Sequence, residues 1–210
     1  MPPPSEAALR YAIIDRCLTN PYKPYPTMDV LKWEIERELK TSVSTATIQK
    51  DIAQMKTKNN EYLLRAAIAL AASAREHGNH PFGALLVDDD GNILLTAENT
   101  VNTGHDATGH AELNLVREAS GKFETVVLEK ATLYTSTEPC PMCAGAIFWS
   151  GIGKVVYALS EDGLYGMTAD SPESLKLSCR EVFARGGRPV EVTGPLLEQE
   201  AARVHEGFWE

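Results

Sequence analysis

The chain has 210 residues, 43% of them hydrophobic and 23% charged, with a formal net charge of −9. That length suits one medium domain or a small domain beside a larger one, and the apolar fraction is enough for a packed core. No run of eighteen apolar residues occurs and Met1-Pro2-Pro3-Pro4-Ser5-Glu6 lacks the pattern of a signal peptide, so a cytoplasmic protein without a membrane partner is expected.

The charge is uneven. Residues 1–60 carry nine Lys and Arg against seven Asp and Glu, whereas residues 61–210 carry eleven against twenty-two. A surface that docks on a phosphate backbone needs clustered Lys and Arg to displace condensed counterions. The acidic second part therefore disfavours a polynucleotide such as transfer RNA and favours a small uncharged partner.

In chain order, residues 5–18 place Leu9, Ile13 and Ile14 at helical spacing behind a capping Ser5. Three prolines between Asn20 and Thr27 predict a loop. A second helix starts at Thr27-Met28-Asp29, with Val30, Leu31, Ile35 and Leu39 as its apolar stripe. Ser44 caps a third over Thr45–Met55, where Ile48, Ile52 and Met55 face inward. The short polar stretch Lys56–Asn60 reads as a boundary, separating a helical domain over 1–58 from a larger one over 59–210.

Tyr62–Glu76 is an alanine-rich helix that ends near Gly78. Ala84–Val87 and Ile93–Ala97 are strand-like and joined through Asp90-Gly91, a hairpin signal. The three successive aspartates there lack a following Glu at calcium-loop spacing and read as a solvated turn. A helix over 110–119, a strand Thr132–Thr135, a helix over 141–149 and a strand Lys154–Leu159 follow. After a connection of roughly thirty residues come a strand Pro189–Thr193 and a helix Pro195–Glu206. Repeated strand–helix–strand order implies an α/β sheet covered on both faces, with its last two strands parallel.

The chemistry concentrates in two stretches, His110-Ala111-Glu112 and Glu138-Pro139-Cys140-Pro141-Met142-Cys143. Two cysteines three apart share one face of a helical turn and can reach one metal ion. Pro139 keeps the preceding chain extended and Pro141 fits a first helical position, so Cys140 is the expected N-cap. Its thiolate then sits at the positive end of the helix dipole, which favours the metal-binding form. With His110 the set has three protein ligands, leaving zinc the open fourth position of a catalytic site.

Such a zinc lowers the pKa of a bound water to about 7, and Glu112, too near His110 to swing away, is positioned to shuttle its proton. A thioredoxin-like redox pair and half of a structural zinc site are the other readings of C-x-x-C. Neither requires an H-x-E at a helix start, and Cys17 and Cys179 form no second C-x-x-C.

H-x-E followed by P-C-x-x-C is the signature of zinc deaminases, and over residues 61–210 the chain resembles the cytidine and deoxycytidylate deaminase superfamily. The resemblance implies a three-layer α/β/α sandwich with a mixed five-stranded sheet and a homodimer. It implies Zn2+ on His110, Cys140 and Cys143, with Glu112 as the catalytic proton carrier. It also implies that Asn99 hydrogen-bonds the substrate ring and that Phe82 stacks on it or presents its backbone to it, with Ala111 beside them. His80 and His105 fall outside the ligand set.

The run Ala144-Gly145-Ala146-Ile147-Phe148-Trp149 is similar to that of guanine deaminases, which adds Trp149 to the substrate residues. It makes guanine, converted with water to xanthine and ammonia, the first expected substrate. Cytosine or a nucleoside is the alternative. Recognition of a purine calls for a carboxylate facing the ring N–H and 2-amino group; Asp162, Asp170 and Glu173 are available, and spacing selects none of them. Phe208 and Trp209 at the C-terminus are predicted to fold over an active site, their own or a partner's.

The three helices before residue 58 resemble the helix-turn-helix unit of small bacterial winged-helix regulators, with Gln49 and Lys50 exposed. That likeness implies a nucleic-acid partner through residues 1–58 only. It carries a second function class, a DNA-binding regulator whose larger part senses a base. A surplus of two positive charges suits a packing module equally, and Glu112 argues against a mere sensor.

Overall fold

The computed structural model describes residues 4–18, 26–168 and 174–209. The chain divides into two compact units, Met1–Asn60 and Glu61–Glu210.

The first unit contains α1 (Glu6–Leu18), α2 (Met28–Leu39) and the start of α3 (Thr45–Glu76). Thr27 caps α2 through the Val30 N–H, and the Thr47 N–H donates to Ser44 Oγ at 3.0 Å. Ile13, Ile14, Leu31, Ile35, Val43 and Ile48 form its core. Leu9 and Val30, expected on inward stripes, are exposed. Gln49 and Lys50 are exposed as predicted. The proline loop predicted over residues 20–27 lies almost wholly outside the described residues.

One correction concerns Lys56–Asn60. Two helices were expected on either side of it, but α3 continues through as a single helix of 32 residues. The stretch has no Pro or Gly, and its Lys, Thr and Asn residues cost only fractions of a kcal/mol each in a helix. Polarity alone does not break the helix there.

In the second unit the remainder of α3 leads to β1 (Gly83–Val87) and β2 (Ile93–Glu98), then α4 (Val101–Gly104), α5 (Ala111–Lys122) and α6 (Thr125–Leu128). These are followed by β3 (Thr132–Thr137), α7 (Pro141–Ser150), β4 (Lys154–Leu159), α8 (Glu161–Tyr165), α9 (Cys179–Ala184) and β5 (Glu191–Thr193). The predicted terminal helix is shorter, α10 (Glu198–Ala202) followed by a 3-10 turn over Arg203–His205. The short helices α4, α6, α8 and α9 carry too few turns to show a 3.6-residue period in sequence.

The sheet order is β2-β1-β3-β4-β5, antiparallel across β2-β1-β3 and parallel across β3-β4-β5. Strand side chains alternate between faces. Ala84, Leu86, Leu133, Val155 and Tyr157 pack with residues of α5, α7 and α9 on one side. Leu85, Val87, Tyr134, Val156 and Ala158 pack with Leu63, Leu64 and Ala67 of α3 and Ala201 of α10 on the other. This is the α/β sandwich with a mixed five-stranded sheet. A Cβ on Gly83 would lie 2.5 Å from the Ala67 carbonyl oxygen, so only glycine lets β1 start this close to α3.

In the hairpin, Asp88 Oδ1 accepts the N–H groups of Asp90 and Asn92 at 3.0 and 2.8 Å, the self-bonded turn expected there. No helix among the described residues is long and apolar enough to cross a membrane.

Candidate active site

Helices α5 and α7 pack side by side, and each begins at a residue of the signature. His110 is the N-cap of α5 and Cys140 that of α7, with Pro141 in the first turn as predicted. Neither side chain caps its own helix. Both are left free to turn toward Cys143, one helical turn into α7.

His110 Nδ1 lies 3.6 Å from Cys140 Sγ and 3.5 Å from Cys143 Sγ. Zinc bonds of about 2.3 Å to sulfur and 2.0–2.1 Å to nitrogen at tetrahedral angles put a sulfur and a nitrogen about 3.5 Å apart. The donor set, one imidazole and two thiols, and its spacing therefore fit zinc.

Of the three donors, Cys140 alone is pushed toward its metal-binding form, while Cys143 is raised by its hydrogen bond with Cys140 and by burial. The Cys140 thiol is pulled down to about 4, first by its hydrogen bond with Cys143 and then by His110, against the opposing effect of burial. His110 is raised, mainly by Cys140.

Glu112, one residue into α5, is 4% exposed. Thr135 of β3 donates to its Oε1 at 2.7 Å, and Cys143 Sγ lies 3.7 Å from its Oε2. Burial pushes its carboxyl up, opposed by the Thr135 hydrogen bond. Such a group holds and releases a proton nearer neutrality than a solvated carboxylate does.

A cavity of about 140 Å³ opens on these residues. Its walls include Phe82, His110, Glu112, Thr137, Glu138, Cys140, Glu161 and Tyr165. It lies at the carboxyl ends of the parallel strands β3 and β4, where open α/β sheets place their ligands.

The cavity has three carboxylates, and their situations differ. Glu138 is used by the fold, its two oxygens accepting the backbone N–H groups of Glu161 and Cys179 at 3.1 Å each. Glu112 is held by Thr135. Glu161 has Tyr165 Oη at 3.4 Å as its side-chain contact, and burial, then the charges of Glu138 and Cys140, raise it to about 7.

Three buried side-chain atoms among the described residues have no hydrogen-bond partner: Thr137 Oγ1, Asn99 Nδ2 and His205 Nε2. All three border this region. Thr137 is in the cavity wall. The Asn99 N–H donates to the Phe82 carbonyl at 3.0 Å. The His205 ring is 5.3 Å from the Phe82 ring.

Of the residues expected to meet substrate, Phe82 lines the cavity and Asn99 adjoins it through that backbone bond. Ala111 is packed into the core beneath α5 and is absent from the cavity wall. Trp149 is 85% exposed, edge-on to Phe148, and does not reach the cavity. Six residues after Cys143, it is about 9 Å further along α7 and about 120° around it.

Among the carboxylates considered for purine recognition, Asp162 is exposed, while Asp170 and Glu173 lie outside the described residues. Glu161, one residue before Asp162, is the group in the wall. Ser160 caps α8 by accepting the Gly163 N–H, and Glu161 is the buried residue of that helix.

The C-terminal aromatics pack on their own chain. Trp209 lies 5.5 Å from His80 and 6.1 Å from Phe82, stacks on His205 and donates Nε1–H to His205 Nδ1 at 3.3 Å. Phe208 lies edge-on to His80 at 5.8 Å. His105 is exposed and apart from the ligands.

The family model for the cytidine and deoxycytidylate deaminase zinc-binding region matches residues 57–159. A Schizosaccharomyces pombe protein described as a probable cytosine deaminase is 42% identical over 169 residues, spanning 80% of this chain and 97% of the relative. The guanine deaminase of Bacillus subtilis is 43% identical over 101 residues, spanning 48% of this chain and 64% of the relative. A solved structure described as a guanine deaminase from Nitrosomonas europaea is similar with a TM-score of 0.55 at 27% identity, covering 70% of this chain and 81% of that one.

Proposed function

The chain belongs to the cytidine and deoxycytidylate deaminase family and is a hydrolytic deaminase with zinc as its cofactor; we propose that its substrate is a free nucleobase, guanine first. The observation that carries this reading is the cavity itself. At about 140 Å³ beside His110, Cys140 and Glu112, it suits a single base ring system. The acidic balance of residues 61–210 supports the same choice.

Zinc on His110, Cys140 and Cys143 supplies Lewis-acid activation of water. Glu112 would take one proton from the attacking water as the new C–O bond forms and pass it to the ring nitrogen beside the amine-bearing carbon. It would then take the remaining proton from the added hydroxyl, which becomes the carbonyl, and deliver it to the amine, so that the C–N bond breaks and ammonia leaves. Thr135 holds the carboxylate in place for both transfers. Phe82 offers its ring face to the base, the unpartnered Asn99 amide donates to it, and Trp209, packed against Phe82, helps exclude bulk water.

Cytosine is the second reading, favoured by the fission-yeast relative and its coverage of nearly that whole protein. Ammonia release from guanine, cytosine, adenine and their nucleosides by zinc-loaded protein, beside Glu112→Ala, separates them. Release from guanine that vanishes in the variant is the expected result. Turnover of cytosine alone replaces guanine with the second reading, and release from the nucleosides alone removes the free-base assignment.

A further inference from the structure

We propose that Glu161 and Thr137 together read a lactam edge, a ring N–H next to a carbonyl, on the flank of the amine-bearing carbon that faces away from Glu112. The proposal rests on the nucleobase reading above and names the feature that selects among bases.

The argument starts from unused hydrogen-bonding capacity. Glu138 has both oxygens on backbone N–H groups, and Glu112 is fixed by Thr135. Glu161 is 8% exposed, and its side-chain contact is Tyr165 at 3.4 Å, beyond ordinary O–H···O length. Thr137 is 1% exposed, and its hydroxyl has no partner. A buried polar atom without a partner costs about 1–3 kcal/mol, so two underused groups in one cavity wall point to a ligand that completes them.

They are also neighbours. Thr137 ends β3 opposite Leu159 of β4, and Glu161 follows Leu159 by two residues. Glu138, adjacent to Thr137, holds the Glu161 backbone N–H at 3.1 Å. The pair therefore stands at adjoining strand ends. Glu112 is held further back along the strand, by Thr135, two residues before Thr137 on β3.

The chemistry of the bases then decides. Glu112 must face the ring nitrogen that bears no hydrogen, because that atom receives the proton. In guanine the opposite flank of the amine-bearing carbon presents N–H and then C=O. In cytosine it presents two C–H groups. A carboxylate beside a hydroxyl donor complements the first pattern and leaves both groups unpaired against the second, a difference that a hydrogen-bonding site discriminates strongly. Isocytosine carries the guanine pattern on a single ring.

The test is calorimetric titration of zinc-loaded Glu112→Ala protein with isocytosine and with cytosine, repeated with Glu161→Gln, Glu161→Asp or Thr137→Val added. Zinc content and melting temperature are followed in parallel. The expected result is tighter binding of isocytosine, a preference that shrinks roughly 30- to 100-fold with Glu161→Gln, the loss of one charge-assisted hydrogen bond. Thr137→Val reduces it about 5-fold, and Glu161→Asp retains part of it. Should Glu161→Gln fail to fold, Thr137→Val carries the test. Equal weakening of both ligands, or no preference for isocytosine at the start, overturns the proposal.

Turnover keeps this separate from the functional reading. Wild-type protein that deaminates cytosine but not guanine sinks the lactam reader and leaves a nucleobase deaminase. Protein inactive on every base that still prefers isocytosine sinks the reading and keeps the reader.

Discussion

The two units differ in where buried polar atoms are left without a partner. In residues 1–60 the buried Asp51 receives Arg10 Nε at 2.6 Å. In residues 61–210 lie all three buried side-chain atoms found without a partner among the described residues, each at or next to the cavity. A satisfied buried charge keeps a fold together. An unpartnered buried polar atom costs the fold stability, and the clustering of such atoms at a single cavity marks where a ligand completes them.

If that contrast is right, changes at the cavity remove activity and leave the fold, while changes at the Arg10–Asp51 pair do the reverse. The largest effect is expected at the metal and proton groups. Cys143→Ser should lose zinc and all turnover, measured by atomic absorption and ammonia release. Glu112→Ala should keep zinc while kcat falls about 10²- to 10⁴-fold, the range for general acid–base catalysis. Retained activity in either variant would detach the cavity from the chemistry.

Next comes the tail. Removing residues 207–210 takes Phe208 and Trp209 off His80 and Phe82. The expected outcome is about a 10-fold drop in kcat/KM, close to the loss of one good aromatic contact, with zinc content unchanged; full activity would make the tail a packing feature only.

A smaller effect is a pH response of the same region. His205 is pushed down to about 4, mainly by burial and then by Arg75, against an unfolded value near 6.5. Its neutral ring therefore contributes stability that is complete above about pH 6.5 and is lost as pH falls toward 4, at most about 3 kcal/mol. Protection factors across residues 198–209, corrected for the intrinsic pH dependence of exchange, should fall over that window, and His205→Phe should flatten the response. Exchange that does not change with pH there would show the ring to be solvated.

The smallest effect on activity is expected at Asp51. Asp51→Ala strands the Arg10 guanidinium and should destabilise residues 1–60 by about 2 kcal/mol, less than a fully enclosed pair because Arg10 remains partly exposed. Denaturant melts read the loss, and deaminase activity under native conditions should stay within twofold. A large activity loss there would break the contrast between the units.

What the sequence by itself determined is local chemistry: the H-x-E and P-C-x-x-C spacing, Cys140 as a cap before Pro141, the alternating strands and the Asp90-Gly91 turn. Each depends on residues a few positions apart, within reach of one helical turn or one hairpin. The tertiary structure decided what depends on packing. It ran α3 through Lys56–Asn60, turned Trp149 into solvent and laid Trp209 against Phe82 of its own chain. It also brought Glu161, and not Asp162, into the cavity, because the ends of β3 and β4 meet only when strands more than twenty residues apart pair in register. A carboxylate's role there depends on which of its neighbours are already hydrogen-bonded, and that is a property of the assembled wall.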